Sequence, residues 1–176
     1  MESIFCRMDE KELIQRDDAG DVMQRARTVD DQLDGELVQF DGPNVIAKMS
    51  YKAGKLEGQS VFYDAGRVKL QSTFQNGMQD GETIVFGEGE QPAMKSGWRA
   101  GKLDGLSSWF RPDGSLQRTA HYVAGVLEGE ALAYDEGGRI IERSTYKNGV
   151  LEGELLRYTK SGKVRERIVY KNGKPA

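Results

Sequence analysis

The chain has 176 residues, 22 of them glycine, and its 28 Asp and Glu against 25 Lys and Arg give a net charge of −3. A single cysteine, Cys6, and a single histidine, His121, exclude an intrachain disulfide, a multi-thiolate cluster and the histidine pairs that most zinc enzymes use. The near balance of charge gives no overall attraction to nucleic acid.

Along the chain, the start is interrupted by Glu2, Arg7, Asp9, Glu10, Lys11 and Glu12, which breaks any apolar leader. Residues 1–11 are expected to form an atypical capping strand through Ile4 and Phe5, because a terminal repeat has one side facing water. Residues 12–35 read as a degraded repeat. Within them Asp18-Ala-Gly-Asp-Val22 echoes Asp64-Ala-Gly-Arg-Val68, and Thr28 or Val29 stands where later units carry an aromatic. From there on, one pattern recurs: Tyr51-Lys-Ala-Gly-Lys-Leu-Glu-Gly58, Phe74 to Gly81, Trp98 to Gly105, Tyr122 to Gly129 and Tyr146 to Gly153, with Tyr170-Lys-Asn-Gly173 as a partial copy. The glycines repeat every 22 to 25 residues, and, Phe62 and Trp109 apart, the aromatics from Phe40 to Tyr170 stand 11 or 12 apart. The expected division is therefore 1–34, cap and degraded repeat, and 35–176, repeat domain. No charge-free stretch exceeds Leu70–Gln79, ten largely polar residues, against the ~20 apolar residues that span a bilayer. The chain is expected to be cytoplasmic and not membrane-bound.

A half-period near 12 that is punctuated by Gly, Asn-Gly and Asp-Gly is the spacing of one strand plus one turn. Side chains alternate between the punctuation marks: Val45, Ala47, Met49 and Tyr51 share one face of their strand, as do Val68, Leu70 and Phe74. The expected fold is all-β, an elongated antiparallel β-hairpin repeat of roughly a dozen strands. The aromatics are expected to form its core. Leu33, Leu56, Leu103, Leu127 and Leu151 should fold under the connections.

The unit Tyr-Lys-x-Gly-x-Leu-Glu-Gly-x-x-x-x-Tyr-x-x-x-Gly resembles the MORN repeat, in the variant common in bacterial antitoxin-like proteins. The resemblance covers residues 35–174 strongly and 12–34 weakly. It implies a β-hairpin solenoid that binds a protein, and for this variant the neutralisation of a toxin or secreted effector. The chain lacks the Trp and the His-Gly step of the eukaryotic repeats to which lipid binding is attributed.

Nothing in the sequence nominates a catalytic centre or a cofactor. Repeats disperse their functional groups, and His121 has no nucleophile placed beside it. Glu57, Asp80, Asp104, Glu128 and Glu152 recur at one acid per unit, too sparse for the 6–8 oxygens calcium takes, and are read as turn carboxylates beside backbone amides. Asp113 and Asp135 are read the same way. Gly87-Glu-Gly89 lacks the Lys-Ser/Thr of a phosphate loop. What remains is binding. Phe62, Val85 and Trp109 fall at one position in successive units, off the aromatic rhythm, and are expected to make an apolar stripe on the wetter face. Lys95, Arg143 and Arg167, with Lys48, Gln71 and Thr119, are expected to share that face, and His121 is read as a surface or interface residue. Residues 1–42 carry a charge of −7, 43–138 of −2 and 139–176 of +6, an asymmetry that could steer a charged partner. The expectation is a non-enzymatic protein that captures a toxin or effector through Phe62, Val85, Trp109, Lys95, His121, Arg143 and Arg167. A generic scaffold and a membrane-surface adaptor are the alternatives.

Overall fold

The computed structural model describes residues 9–176, so the capping strand expected through Ile4 and Phe5 lies outside the described residues. The chain divides into two compact units, Met1–Met78 and Gln79–Ala176. The first contains β1 (Glu10–Arg16), β2 (Val22–Val29), β3 (Gln32–Asp41), β4 (Asn44–Lys52), β5 (Lys55–Asp64) and β6 (Arg67–Gln75). Each pairs antiparallel with the next. The second holds β7 (Met78–Phe86), whose first residue lies at the division, then β8 (Pro92–Arg99), β9 (Lys102–Phe110), β10 (Leu116–Val123), β11 (Val126–Tyr134), β12 (Ile140–Lys147), β13 (Val150–Tyr158), β14 (Val164–Lys171) and β15 (Lys174–Pro175). These too pair in chain order, always antiparallel. All regular structure among the described residues is strand, as the alternation and turn spacing predict. In the degraded repeat Thr28 faces Leu33 across its hairpin as Tyr51 faces Leu56, so Thr28, not Val29, stands in the aromatic's place.

Two kinds of connection occur. In the second unit they alternate, whereas in the first unit the connections after β2, β3, β4 and β5 all have two residues. The tight one has two residues, such as Ala124-Gly125 with φ of 50° and 89°. Both are left-handed, the twist that a two-residue hairpin loop needs and that glycine accepts without steric cost. The repeat holds six of these loops from both amides. The first amide donates to the carboxylate of the preceding hairpin: Ala53, Asn76, Ala100, Ala124, Asn148 and Asn172 reach Asp34, Glu57, Asp80, Asp104, Glu128 and Glu152 at 2.6 to 3.2 Å. The second donates to the carbonyl one residue earlier, as Gly125 does to Leu103 at 2.7 Å and Gly149 to Leu127 at 2.9 Å. The Leu-Glu/Asp-Gly step of one unit thus seats the turn of the next, and the expected turn role of the acids holds. The wider connections close as five-residue turns, for example Arg111 N to Ser115 O and Asp135 N to Arg139 O, both 2.9 Å.

The most buried positions are small residues. In the second unit one register row runs across the strands through Thr83, Ser96, Ser107, Ala120, Ala131, Ser144 and Leu155, and none is more than 7% exposed. Directly opposed residues share a face, and two residues further along each strand the same face carries bulkier groups. Trp98, Tyr122 and Tyr146 lie on one side of the row and Val85, Met94 and Trp109 on the other. The expected aromatic core is corrected accordingly. The aromatics are half-buried: with no second layer on the sheet, they lean over the small row and keep one side toward solvent.

Candidate functional site

The second unit carries most of the residues singled out by sequence. On the face of the small row, Val85 of β7 opposes Met94 of β8, Met94 opposes Trp109 of β9, and Trp109 opposes Arg118 of β10. The three apolar side chains occupy neighbouring strands and are half-buried. The Arg118 guanidinium carbon stands 5.6 Å from the Trp109 ring centroid, within cation–π range. Beside them lies a shallow hollow of about 450 Å³ bordered by Trp109, Arg118, Ala133 and Tyr134. Beyond Arg118 the row turns ionic: Arg157 bridges Glu142 at 3.0 Å and Glu166 at 2.7 Å. Phe62 takes the corresponding place in the first unit, between Ala47 and Leu70.

Lys95, His121, Arg143 and Arg167 do not join this row. Lys95 opposes Ser108, which neighbours Trp109 in sequence and therefore points to the opposite face. His121 opposes Leu106, Arg143 lies between Leu132 and Leu156, and Arg167 opposes Leu156. In the first unit Gln71 opposes Val61, on the face away from Phe62. The expected single surface is thus corrected to two: Val85 and Trp109 on one face, Lys95, His121, Arg143 and Arg167 on the other. Arg143 is ion-paired with Glu130, and Arg167 with Glu154 at 3.4 Å, whereas His121 is exposed.

The cause is the bulge beside the connections that follow strands such as β5 and β9. Between the pairs Trp109–Arg118 and Phe110–Leu116, β9 advances one residue and β10 two, as β5 and β6 do between Phe62–Leu70 and Tyr63–Val68. That odd excess breaks the alternation, so parity carried from the aromatic at the strand end to the next strand assigns the wrong face. Met94 and Arg118 complete the Trp109 row from the intervening strands β8 and β10, one residue away from the positions of Lys95 and Thr119 that the sequence pattern singles out. Aligning the intervening strands on Tyr51, Phe74, Trp98 and Tyr122 would have found Met94 and Arg118.

The ionisable groups are arranged for structure. The Asp113 carboxyl is held below the usual range by Ser115, through side-chain and backbone hydrogen bonds. That of Asp135 is held low chiefly by the Arg139 backbone amide, then by the Arg139 side chain and the Gly137 amide. Gly87, at the start of the glycine-rich segment, donates its amide to Gln91 O at 2.9 Å, a turn closure. Among the described residues, no group of three or more His, Cys, Asp or Glu is disposed to hold a metal ion.

No curated protein matches the chain. A family model described as "MORN repeat variant" matches residues 103–124, 127–148 and 151–172, which are the hairpins built on β9 to β14. Such repeats are generally protein- or membrane-interaction modules and generally non-catalytic. Three consecutive stretches of the second unit are therefore similar to this repeat variant.

Proposed function

We propose that the protein is a non-enzymatic antitoxin or immunity protein, acting in the cytoplasm, that neutralises a bacterial toxin or secreted effector by binding it directly. The observation that carries this reading is the Val85–Met94–Trp109 row. Three large apolar side chains stand together on adjacent strands of the sheet, with an arginine over the Trp109 ring at the end of the row. A half-exposed Trp that adjoins an apolar patch and is flanked by Arg is the composition of an interface hot spot. Phe62 would contact the partner on the first unit, and Lys95, His121, Arg143 and Arg167 would meet a second part of the partner on the face of the second unit opposite Trp109.

The test is affinity purification from the native host, identification of the co-eluting protein, and expression of that protein alone and with this chain. Growth arrest by the partner, rescued by co-expression, supports the proposal. Trp109→Ala should then weaken the complex by at least about 2 kcal/mol with the melting curve little changed. A stable partner without toxicity would favour a scaffold, and salt-sensitive co-sedimentation with anionic vesicles would favour a membrane adaptor.

A further inference from the structure

Strand β9 inverts the polarity that its counterparts share on the face opposite Trp109. One residue after the hairpin glycine, five units carry Glu36, Gln59, Glu82, Glu130 and Glu154, and β9 carries Leu106. Two residues later they carry Val38, Val61, Ile84, Leu132 and Leu156, and β9 carries Ser108. On the neighbouring strand Gly97 stands where other units have Ser50, Thr73, His121, Thr145 and Val169. A Cβ at Gly97 would come 2.5 Å from Asp104 O, so the close strand approach and the missing side chain go together. The fold of the other units requires none of these exchanges.

Together they reshape the surface. Leu106 is 58% exposed, more than any other large hydrophobic residue described. It stands as a ridge between two hollows. One, of about 450 Å³, is bordered by Glu82, Lys95, Gly97 and Ser108. The other, of about 550 Å³, is bordered by Thr119, His121, Glu130 and Leu132. Charge distinguishes this region from the rest of the face. Arg143 and Arg167 are tied to Glu130 and Glu154, while the Lys95 and His121 side chains make no ion pair among the described residues.

The geometry points to a second docking site here, for an extended segment of a partner protein that lays a large apolar side chain against Leu106 and brings a carboxylate to Lys95 and His121. Glu82, across Gly97, disfavours an acid at that end, which gives the segment a direction. Apolar contact beside the ridge supplies the burial, and the Lys95 ammonium and the His121 imidazole, as hydrogen-bond donors to the carboxylate, supply orientation. The site rests on the reading of the chain as a protein-binding module but requires no toxin.

The repeats themselves provide variants compatible with the fold. Leu106→Glu and Ser108→Leu install what the other units carry at the same positions, so both should fold with wild-type melting temperatures. The probe is a phage-displayed library of random dodecapeptides panned on the full chain. The expected result is enrichment of peptides that pair a large aliphatic or aromatic residue with Asp or Glu two positions away. Their binding should fall at least about tenfold in Leu106→Glu, fall in Lys95→Glu, and persist in Trp109→Ala. Absence of enrichment, or equal binding to wild type and Leu106→Glu, overturns the site. Loss on Trp109→Ala alone also overturns it while leaving the interaction reading standing. A dimer of the free chain, by sedimentation, that Leu106→Glu dissociates would assign the surface to a second copy and overturn the partner segment.

Discussion

At the scale of single residues, one acid per hairpin sets the geometry of the next turn, and the wider turns at Asp17, Asp113 and Asp135 use a carboxylate inside the loop. Asp135 Oδ1 accepts from Gly137 N and Arg139 N, both at 2.9 Å, and Oδ2 meets Arg139 Nε at 2.9 Å. These donors favour the charged form and lower its pKa in the folded chain. A carboxyl depressed on folding adds stability above its unfolded pKa of about 3.9 and loses that contribution as pH falls through the lower folded value. Asp135→Asn should therefore lower the Tm near neutrality and shrink the fall in Tm between about pH 5 and about pH 2. Parallel Tm–pH curves for the two proteins would assign the acid sensitivity to other groups. The tight turns give a prediction of opposite sign. Ala124 holds φ at 50°, where a Cβ is disfavoured, whereas the equivalent Asn148 and Asn172 belong to a residue type that tolerates this region. Ala124→Asn keeps the amide that reaches Asp104 and should stabilise the chain by about 0.5–1 kcal/mol in urea unfolding. A loss of stability would show that the side chain, not the backbone, decides this position.

At the scale of strands, the two aromatic series and the Asn-Gly and Ala-Gly steps made the hairpins legible, because turn chemistry and period-two alternation are local. Which residues are buried was not legible in the same way. Leu37, Ser60, Thr83, Ser107, Ala131 and Leu155 occupy one position in successive units, and all are buried. Their mixture of Ser, Ala, Thr and Leu carries no hydrophobic signal. Burial there follows from larger neighbours two residues away and from pairing across bulges, both properties of the assembled sheet. The same bulges hid the division of Lys95 and Trp109 between faces. A test of the small row is Ala120→Leu. Ala120 has no exposed surface and lies between Ser107 and Ala131, so added methyl groups must displace the leaning aromatics, at a cost of about 1–3 kcal/mol. Ala120→Ser, in the manner of Ser96 and Ser144, should cost much less. Equal denaturation midpoints for Ala120→Leu and the wild type would show that the row has room to spare.

At the scale of the molecule, each strand contacts chiefly its sequence neighbours, and the repeats distribute charge unevenly along the chain. The sequence places +6 on residues 139–176, which by itself suggests attraction to an anionic surface. Pairing changes that inference. Four of the arginines there are tied locally, Arg139 to Asp135, Arg143 to Glu130, Arg157 to Glu142 and Glu166, and Arg167 to Glu154. A guanidinium already facing a carboxylate offers less to a phosphate surface than its formal charge implies. Membrane attraction by clustered free bases is worth about 1 kcal/mol per residue and decays within a Debye length, about 8 Å at physiological ionic strength. The remaining cations, Lys147, Lys160, Lys163, Arg165, Lys171 and Lys174, are dispersed over β12, β14, β15 and the turn between β13 and β14. The full chain should therefore remain in the supernatant with phosphatidylserine–phosphatidylcholine vesicles at about 0.15 M salt. Glu142→Gln together with Glu166→Gln, which frees Arg157, should increase vesicle binding at low salt. Strong sedimentation of the wild type at physiological salt would mean that the free lysines suffice, and would turn the proposed role from capture of a protein toward attachment to a membrane surface.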